Sequence, residues 1–288
     1  MCIRDRQIAY ANGESDIVQE PFADLGIRSR TESWGISIAQ PFARSLTSRA
    51  SAGIGFEHIV SRSFVLETPF SFAPGENLGV GVVSAVRGFA DWTKRLESGA
   101  YALKATITAG THWFGATDNS DREGGLPDSR YVTGLLQGQY TRQLPLGIRL
   151  HLSLTGQLAD RGLLPVAKLA VGGARSVRGY RENQFVRDEG VFSSAEARIP
   201  IWSSRRVDHS VVLAPFADFG FARNKKIANV VEANGERIAS VGLGLLWQHA
   251  ERGFLSVYYG SALEDVGNPN DAIQDSGFHV QAGLSWRM

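Results

Sequence analysis

Between Gly147 and Asp160 the chain alternates strictly, with Ile148, Leu150, Leu152, Leu154 and Leu158 on one face and Arg149, His151, Ser153, Thr155 and Gln157 on the other. A helix, with about 3.6 residues per turn, cannot produce that pattern. The same two-residue period runs from Tyr101 to Trp113, where Leu103, Ala105, Ile107 and Ala109 oppose Lys104, Thr106, Thr108 and His112. It returns at the C-terminus, where Phe278, Val280, Ala282, Leu284 and Trp286 oppose His279, Gln281, Ser285 and Arg287. Runs of about a dozen residues exceed the ~5 to 6 of an ordinary globular strand. They suit the ~9 to 11 that a tilted strand needs to cross a bilayer.

Further strands are expected at 31–40, 51–66, 78–92, 129–143, 190–201, 209–222, 237–249 and 253–262, with a weak one at 3–10. Short connections (93–98, 144–146, 202–208, 250–252) alternate with long ones (67–77, 114–128, 161–189, 223–236, 263–276) rich in Gly, Asn, Asp and Pro. Tight turns at one end and extended loops at the other are the arrangement of an outer-membrane barrel, with the turns in the periplasm. Trp92, Trp113, Trp202, Trp247, Tyr258 and Trp286 lie near strand ends, where an interfacial aromatic girdle would put them. A soluble sandwich or lipocalin-like barrel also alternates, but it turns its apolar face inward and studs the outer face with charge. Here the polar faces are mostly neutral Ser, Thr, Gln and Gly. The fold expected is therefore all-β, an antiparallel transmembrane β-barrel, with no apolar run near the ~18 to 20 residues of a membrane helix.

Thirty basic residues against twenty-nine acidic ones leave no global field to attract nucleic acid. Only Lys94, Lys104, Lys168, Lys225 and Lys226 among those cations are lysines, so planar, multidentate arginine contacts predominate. Cys2 is the single cysteine, which excludes internal disulfides and thiolate metal sites. No two histidines lie close enough in sequence for a metal motif, and no metal is expected. His151 and Ser153 share a face, but nothing supplies an orienting group or an oxyanion hole, so no catalytic residues are assigned. Residues 1–6, charged and without an apolar core, resemble neither a signal peptide nor a domain start and are read as a non-native leader, with 7–288 as barrel.

The most specific signal sits in the connection 161–189, whose 172–190 segment reads Gly-Gly-Ala-Arg-Ser-Val-Arg-Gly-Tyr-Arg-Glu-Asn-Gln-Phe-Val-Arg-Asp-Glu-Gly. The glycine pair is not a phosphate loop, because no Gly-Lys-Ser/Thr follows it, so neither nucleotide nor cofactor is expected. Val177-Arg178-Gly179-Tyr180 resembles the loop-6 tetrapeptide of the outer-membrane translocator and insertase superfamily, which holds BamA-type and TamA-type proteins and the two-partner secretion transporters of the ShlB/FhaC type. Phe216-Ala217-Asp218-Phe219-Gly220 resembles that superfamily's Phe-x-Asp-x-Gly strand motif, one strand later and in the same order. The extended pattern around Gly172 to Gly190 is most similar to the secretion branch. The resemblance implies a sixteen-stranded barrel of which this chain carries the last eleven or twelve strands, preceded by further strands and periplasmic POTRA domains. It implies a bacterial outer-membrane location and export of a secreted partner protein. The alternative is insertion of unfolded outer-membrane polypeptides in the BamA or TamA manner. An incomplete barrel is expected as an open sheet, edged by 31–40 or 3–10 and by 277–288.

Alternation places Asp218 with Ala214, Phe216 and Gly220 towards the lumen, opposite Leu213, Phe219 and Phe221. Glu196, beside Ser194 and Arg198, is a second lumenal carboxylate. The loop 161–189 is too long to be an ordinary connection. It is expected to fold into the lumen so that Arg178 meets Asp218 with Glu196 nearby, in wet surroundings that weaken the pair.

Overall fold

The computed structural model describes residues 5–16, 25–121, 125–204, 209–227, 234–249, 253–267 and 273–284. In chain order the strands are β1 (Asp5–Asp16), β2 (Arg28–Arg44), β3 (Ser48–Val65), β4 (Thr68–Pro69), β5 (Val80–Leu96), β6 (Gly99–Thr111), β7 (Val132–Gln143) and β8 (Arg149–Ala159). They continue with β9 (Leu169–Val171), β10 (Phe185–Arg187), β11 (Glu189–Ser204), β12 (His209–Arg223), β13 (Gly235–His249), β14 (Gly253–Ala262) and β15 (Phe278–Leu284). All but β9 and β10 form one 13-stranded antiparallel sheet, in which long strands pair in chain order and the short β4 pairs with β3. The sheet is open, with β1 at one edge and β15 at the other. No helix among the described residues is long and apolar enough to cross a membrane.

The two-residue period decides the two faces. Along β8, Leu152, Leu154 and Leu158 are exposed while Gln157 between them is buried. Phe219, Val241, Leu243, Leu245, Val280 and Leu284 are likewise exposed, forming an apolar outer wall. That is the lipid-facing side of a membrane barrel, inverted from a soluble fold.

Several strands run further than their apolar patterns. The weak 3–10 strand is the twelve-residue β1, and Asp5 and Arg6, placed in the leader by sequence, pair with Ala39 and Ile38. β5 continues through Thr93, Lys94 and Arg95 to Leu96, because backbone pairing with β6 persists where the side chains have left the hydrocarbon. β2 extends through Pro41 to Arg44, and the register shift between Pro41 and Ala43 is where the ladder accommodates a residue without an N–H. Tyr258 is no girdle residue, since it points into the lumen beside Arg178. Its neighbour Tyr259 takes the outward position. Trp286 lies outside the described residues.

The connection 161–189 is structured. Its β9 and β10 pair with each other, Val171 opposite Phe185. Leu163 and Leu164 pack on Val83, Ala85, Tyr131 and Ala159, whereas Leu169, Val171, Val177, Tyr180 and Phe185 pack on Ala222 and Ile238. The loop therefore rests on both arms of the sheet and occupies its concave face.

In a Cys2→Ser background, single cysteines at Leu154, Leu158, Val280 and Leu284 should resist a charged thiol reagent in membranes, while those at Ser153, Thr155 and Gln281 react. A charge on the outer wall at mid-membrane costs ~2 to 4 kcal/mol, so the two sets should separate clearly. Equal labelling of both would refute the membrane orientation.

Candidate functional site

Four side chains on two adjacent strands form the seat of the loop. Ser194 of β11 is the direct cross-strand partner of Asp218 of β12, and Glu196 is that of Phe216. Residues two apart on each strand share a face, so all four project into the lumen as two consecutive rungs.

Arg178 enters this square from the loop. Its Nε donates to Asp218 Oδ2 at 2.8 Å and its Nη2 to Asp218 Oδ1 at 2.9 Å, the two-pronged geometry for which a guanidinium is suited. Nη1 donates to Glu196 Oε2 at 2.5 Å and Nη2 to Ser194 Oγ at 2.9 Å. The backbone N–H of Arg178 also donates to Asp218 Oδ2, at 3.0 Å. The guanidinium carbon lies 3.6 Å from the centre of the Phe216 ring and 4.8 Å from that of Tyr258, so aromatic faces cover the charge where no acceptor does. Burial alone would push the guanidinium down, but the bonds and charge of Asp218 and then Glu196 more than offset it and hold it above its ordinary value.

The expectation of a wet, weakened pair is corrected here. Arg178, Asp218 and Glu196 are only 6%, 4% and 5% exposed, because the loop itself roofs the carboxylates.

The flanking motif residues anchor the tip. Val177 is fully buried against Val171 and Ile238. Tyr180 reaches the wall, its hydroxyl donating to Ala239 O at 2.8 Å and accepting from Glu264 N at 3.0 Å. Gly179 has φ of +90° and lies against the backbone of Gly260 in β14, and its N–H donates to His279 Nε2 at 3.0 Å. Gly220 leaves the space that Val171 and Val177 fill, since a Cβ there would stand 2.6 Å and 2.9 Å from their methyl groups.

The base of the loop is tied by charge. Asp188 accepts from Leu163 N at 3.0 Å and Lys225 N at 2.7 Å, with Lys168 Nζ at 3.2 Å. Glu189 pairs with Arg223 and Lys225, and Arg181 with Asp275.

The structure thus brings together Val177, Arg178, Gly179, Tyr180, Glu196, Phe216, Asp218 and Gly220. Sequence reasoning missed Tyr258, taken for an interfacial residue, and the contribution of Gly260 and His279 to the seat. A glycine inside a strand was the available signal for Gly260, because it often marks close approach of a second backbone. His151 and Ser153 also line the lumen, but His151 Nε2 has no hydrogen-bond partner among the described residues.

A membrane-barrel sheet carrying a long outer loop, folded inward and held by one buried arginine, defines the class: outer-membrane β-barrels of the translocator and insertase type. The model of the haemolysin secretion/activation protein family ShlB/FhaC/HecB matches residues 9–246, and the chain belongs to that family. Relatives include the outer membrane transporter CdiB of Dickeya dadantii, 27% identical over 110 residues, which cover 38% of this chain and 20% of that protein. The heme/hemopexin transporter protein HuxB of Haemophilus influenzae Rd is 26% identical over 153 residues, covering 51% of this chain and 26% of its own. Among solved structures, CdiB from Escherichia coli superposes with a TM-score of 0.77 at 16% identity, over 98% of this chain and 49% of that one. BamA from Haemophilus ducreyi gives 0.56 at 13% identity, over 96% and 60%. The chain therefore spans about half of the solved CdiB chain and a smaller share of its curated relatives, and it is an outer-membrane barrel sequence.

Removing Arg178 leaves the buried Asp218 without its cation, while Glu196 keeps Arg198, so Arg178→Ala should weaken loop seating by about 3 to 5 kcal/mol. Faster trypsin cleavage at Arg175 and Arg181 reads this directly. Replacing Asp218 and Glu196 by alanine together with Arg178 should recover part of the protection, and no recovery would mean the carboxylates are not what the arginine neutralises. Gly260→Ala should also release the loop, since its Cβ would meet Gly179 N at 2.7 Å and Arg178 C at 2.8 Å. Gly88→Ala, with nothing within 4 Å, should leave the cleavage rate unchanged.

Proposed function

We propose that this chain is the barrel part of a two-partner secretion transporter, which exports a partner polypeptide across the outer membrane through its lumen. The loop 161–189 is the gate, seated when Arg178 is bound and withdrawn when the chain passes. The single observation that carries this reading is the seat itself: a loop tip held inside the lumen by one arginine on two carboxylates. Such a clamp is suited to switching, because a buried pair stabilises little over an apolar contact of equal volume yet is costly to half-break. No nucleotide, metal or covalent chemistry is needed for a gate of this kind. The transporter names borne by CdiB and HuxB support export. The likeness to BamA keeps insertion of unfolded outer-membrane polypeptides as the second reading, since the loop and its seat would serve either task.

In the full-length protein, Arg178→Ala and Asp218→Ala should each reduce secretion of the partner severalfold while the barrel level in the outer membrane stays near normal. Arg178→Lys should not restore export, because an ammonium lacks the two parallel donors that Asp218 accepts. Normal secretion by both alanine variants would overturn the gate. Unchanged secretion with a fall in other outer-membrane proteins would favour the insertase.

A further inference from the structure

At the loop end of the sheet, cations are matched by acids: Arg28 with Asp16, Arg62 with Glu32, Arg130 with Asp128, Lys168 with Asp188, Arg223 with Glu189 and Arg237 with Glu264. The short-turn end differs. Arg44 of β2 and Arg49 of β3 are direct cross-strand partners, and so are Arg149 of β8 and Arg198 of β11. Like charges placed directly opposite destabilise a sheet. One member of each pair has an acid, Arg49 with Asp5 at 3.4 Å and Arg198 with Glu196 at 2.7 Å. Arg44 and Arg149 are exposed and have no ion pair among the described residues.

All four face inward. Arg49 lies with Asp5 and Ser51 on the wall of one lumenal cavity, and Arg198 lies with Glu196 on the wall of another. Direct pairing puts Arg44 and Arg149 on the same face. Alternation from Arg87 and Asp91, which line the first cavity, adds Arg95. Among the described inward-facing carboxylates of this stretch, Asp91 accepts from Ser51 and Glu196 is shared with Arg178.

We propose that these arginines form a collar at the periplasmic mouth of the lumen that receives carboxylate-rich segments of the entering unfolded polypeptide. The proposal rests on the export reading above. Guanidinium groups bind carboxylates with two parallel hydrogen bonds, and a mouth lined by one sign of charge between low-dielectric walls focuses the field on an approaching chain. Lipid phosphates meet the outer wall, whereas the collar faces the inside, so the occupant is the polypeptide.

The test uses the full-length protein in planar bilayers, with unstructured peptides of equal length, one glutamate-rich and one lysine-rich, added from the short-turn side. The glutamate-rich peptide should block the current at a concentration about tenfold lower. The difference should vanish in Arg44→Gln/Arg149→Gln, persist in Arg44→Lys/Arg149→Lys, and collapse near ~1 M salt, where screening acts within ~3 Å. Equal block by both peptides overturns the collar, as does a preference that survives loss of the charges. If the glutamine variant keeps the preference but loses co-purifying anionic phospholipid, the arginines serve headgroups and the proposal fails. Block is read without export: intact discrimination in a protein that secretes nothing counts against the export reading, and charge-blind block in a protein that secretes normally counts against the collar alone.

Discussion

A backbone amide that faces hydrocarbon has no water to bond, and leaving it unpaired costs several kcal/mol, so a chain that crosses a bilayer without helices has to build an unbroken ladder. Everything else in this protein follows from that requirement. The ladder forces alternation, and alternation sends Leu152, Leu154, Leu158, Phe219, Leu243, Leu245 and Leu284 outward while serine, glutamine, aspartate and glutamate turn inward. The inner face is thus polar by construction, and whatever fills it has to satisfy polar groups.

The loop 161–189 meets that demand with two kinds of contact. Apolar residues on both of its arms pack against apolar wall residues, and its tip delivers a guanidinium to Asp218, which would otherwise be roofed over without a cation, and to Glu196. The packing supplies affinity and the arginine supplies register. Shifting the tip by one residue would bury Asp218 unpaired, and this makes one seated position preferred over its neighbours. The close approach of Gly179 to Gly260 and the space left by Gly220 are the steric counterparts of the same selection.

Charge is distributed to match. Outer cations are paired with acids and help tie the base of the loop to the rim, while arginines at the opposite mouth stand against one another across strands. Among the described residues, ion pairs concentrate at the loop end and facing arginines at the other, so the two mouths differ in charge.

The two-residue period and the alternation of short and long connections made the barrel class, the strand order and the inward face of Asp218 and Glu196 legible from the sequence, because a ladder converts parity directly into orientation. Strand ends were less legible: Lys94 and Arg95 look like a turn, yet backbone pairing continues past the point where side chains stop reporting the membrane. Only the tertiary structure decided what surrounds Arg178 and Gly179 beyond Asp218 and Glu196. Tyr258, Gly260 and His279 belong to strands far along the chain from the loop, and no local pattern encodes a contact made across a lumen. Nor could the sequence give the burial of the clamp, since the roof over it is the folded loop itself.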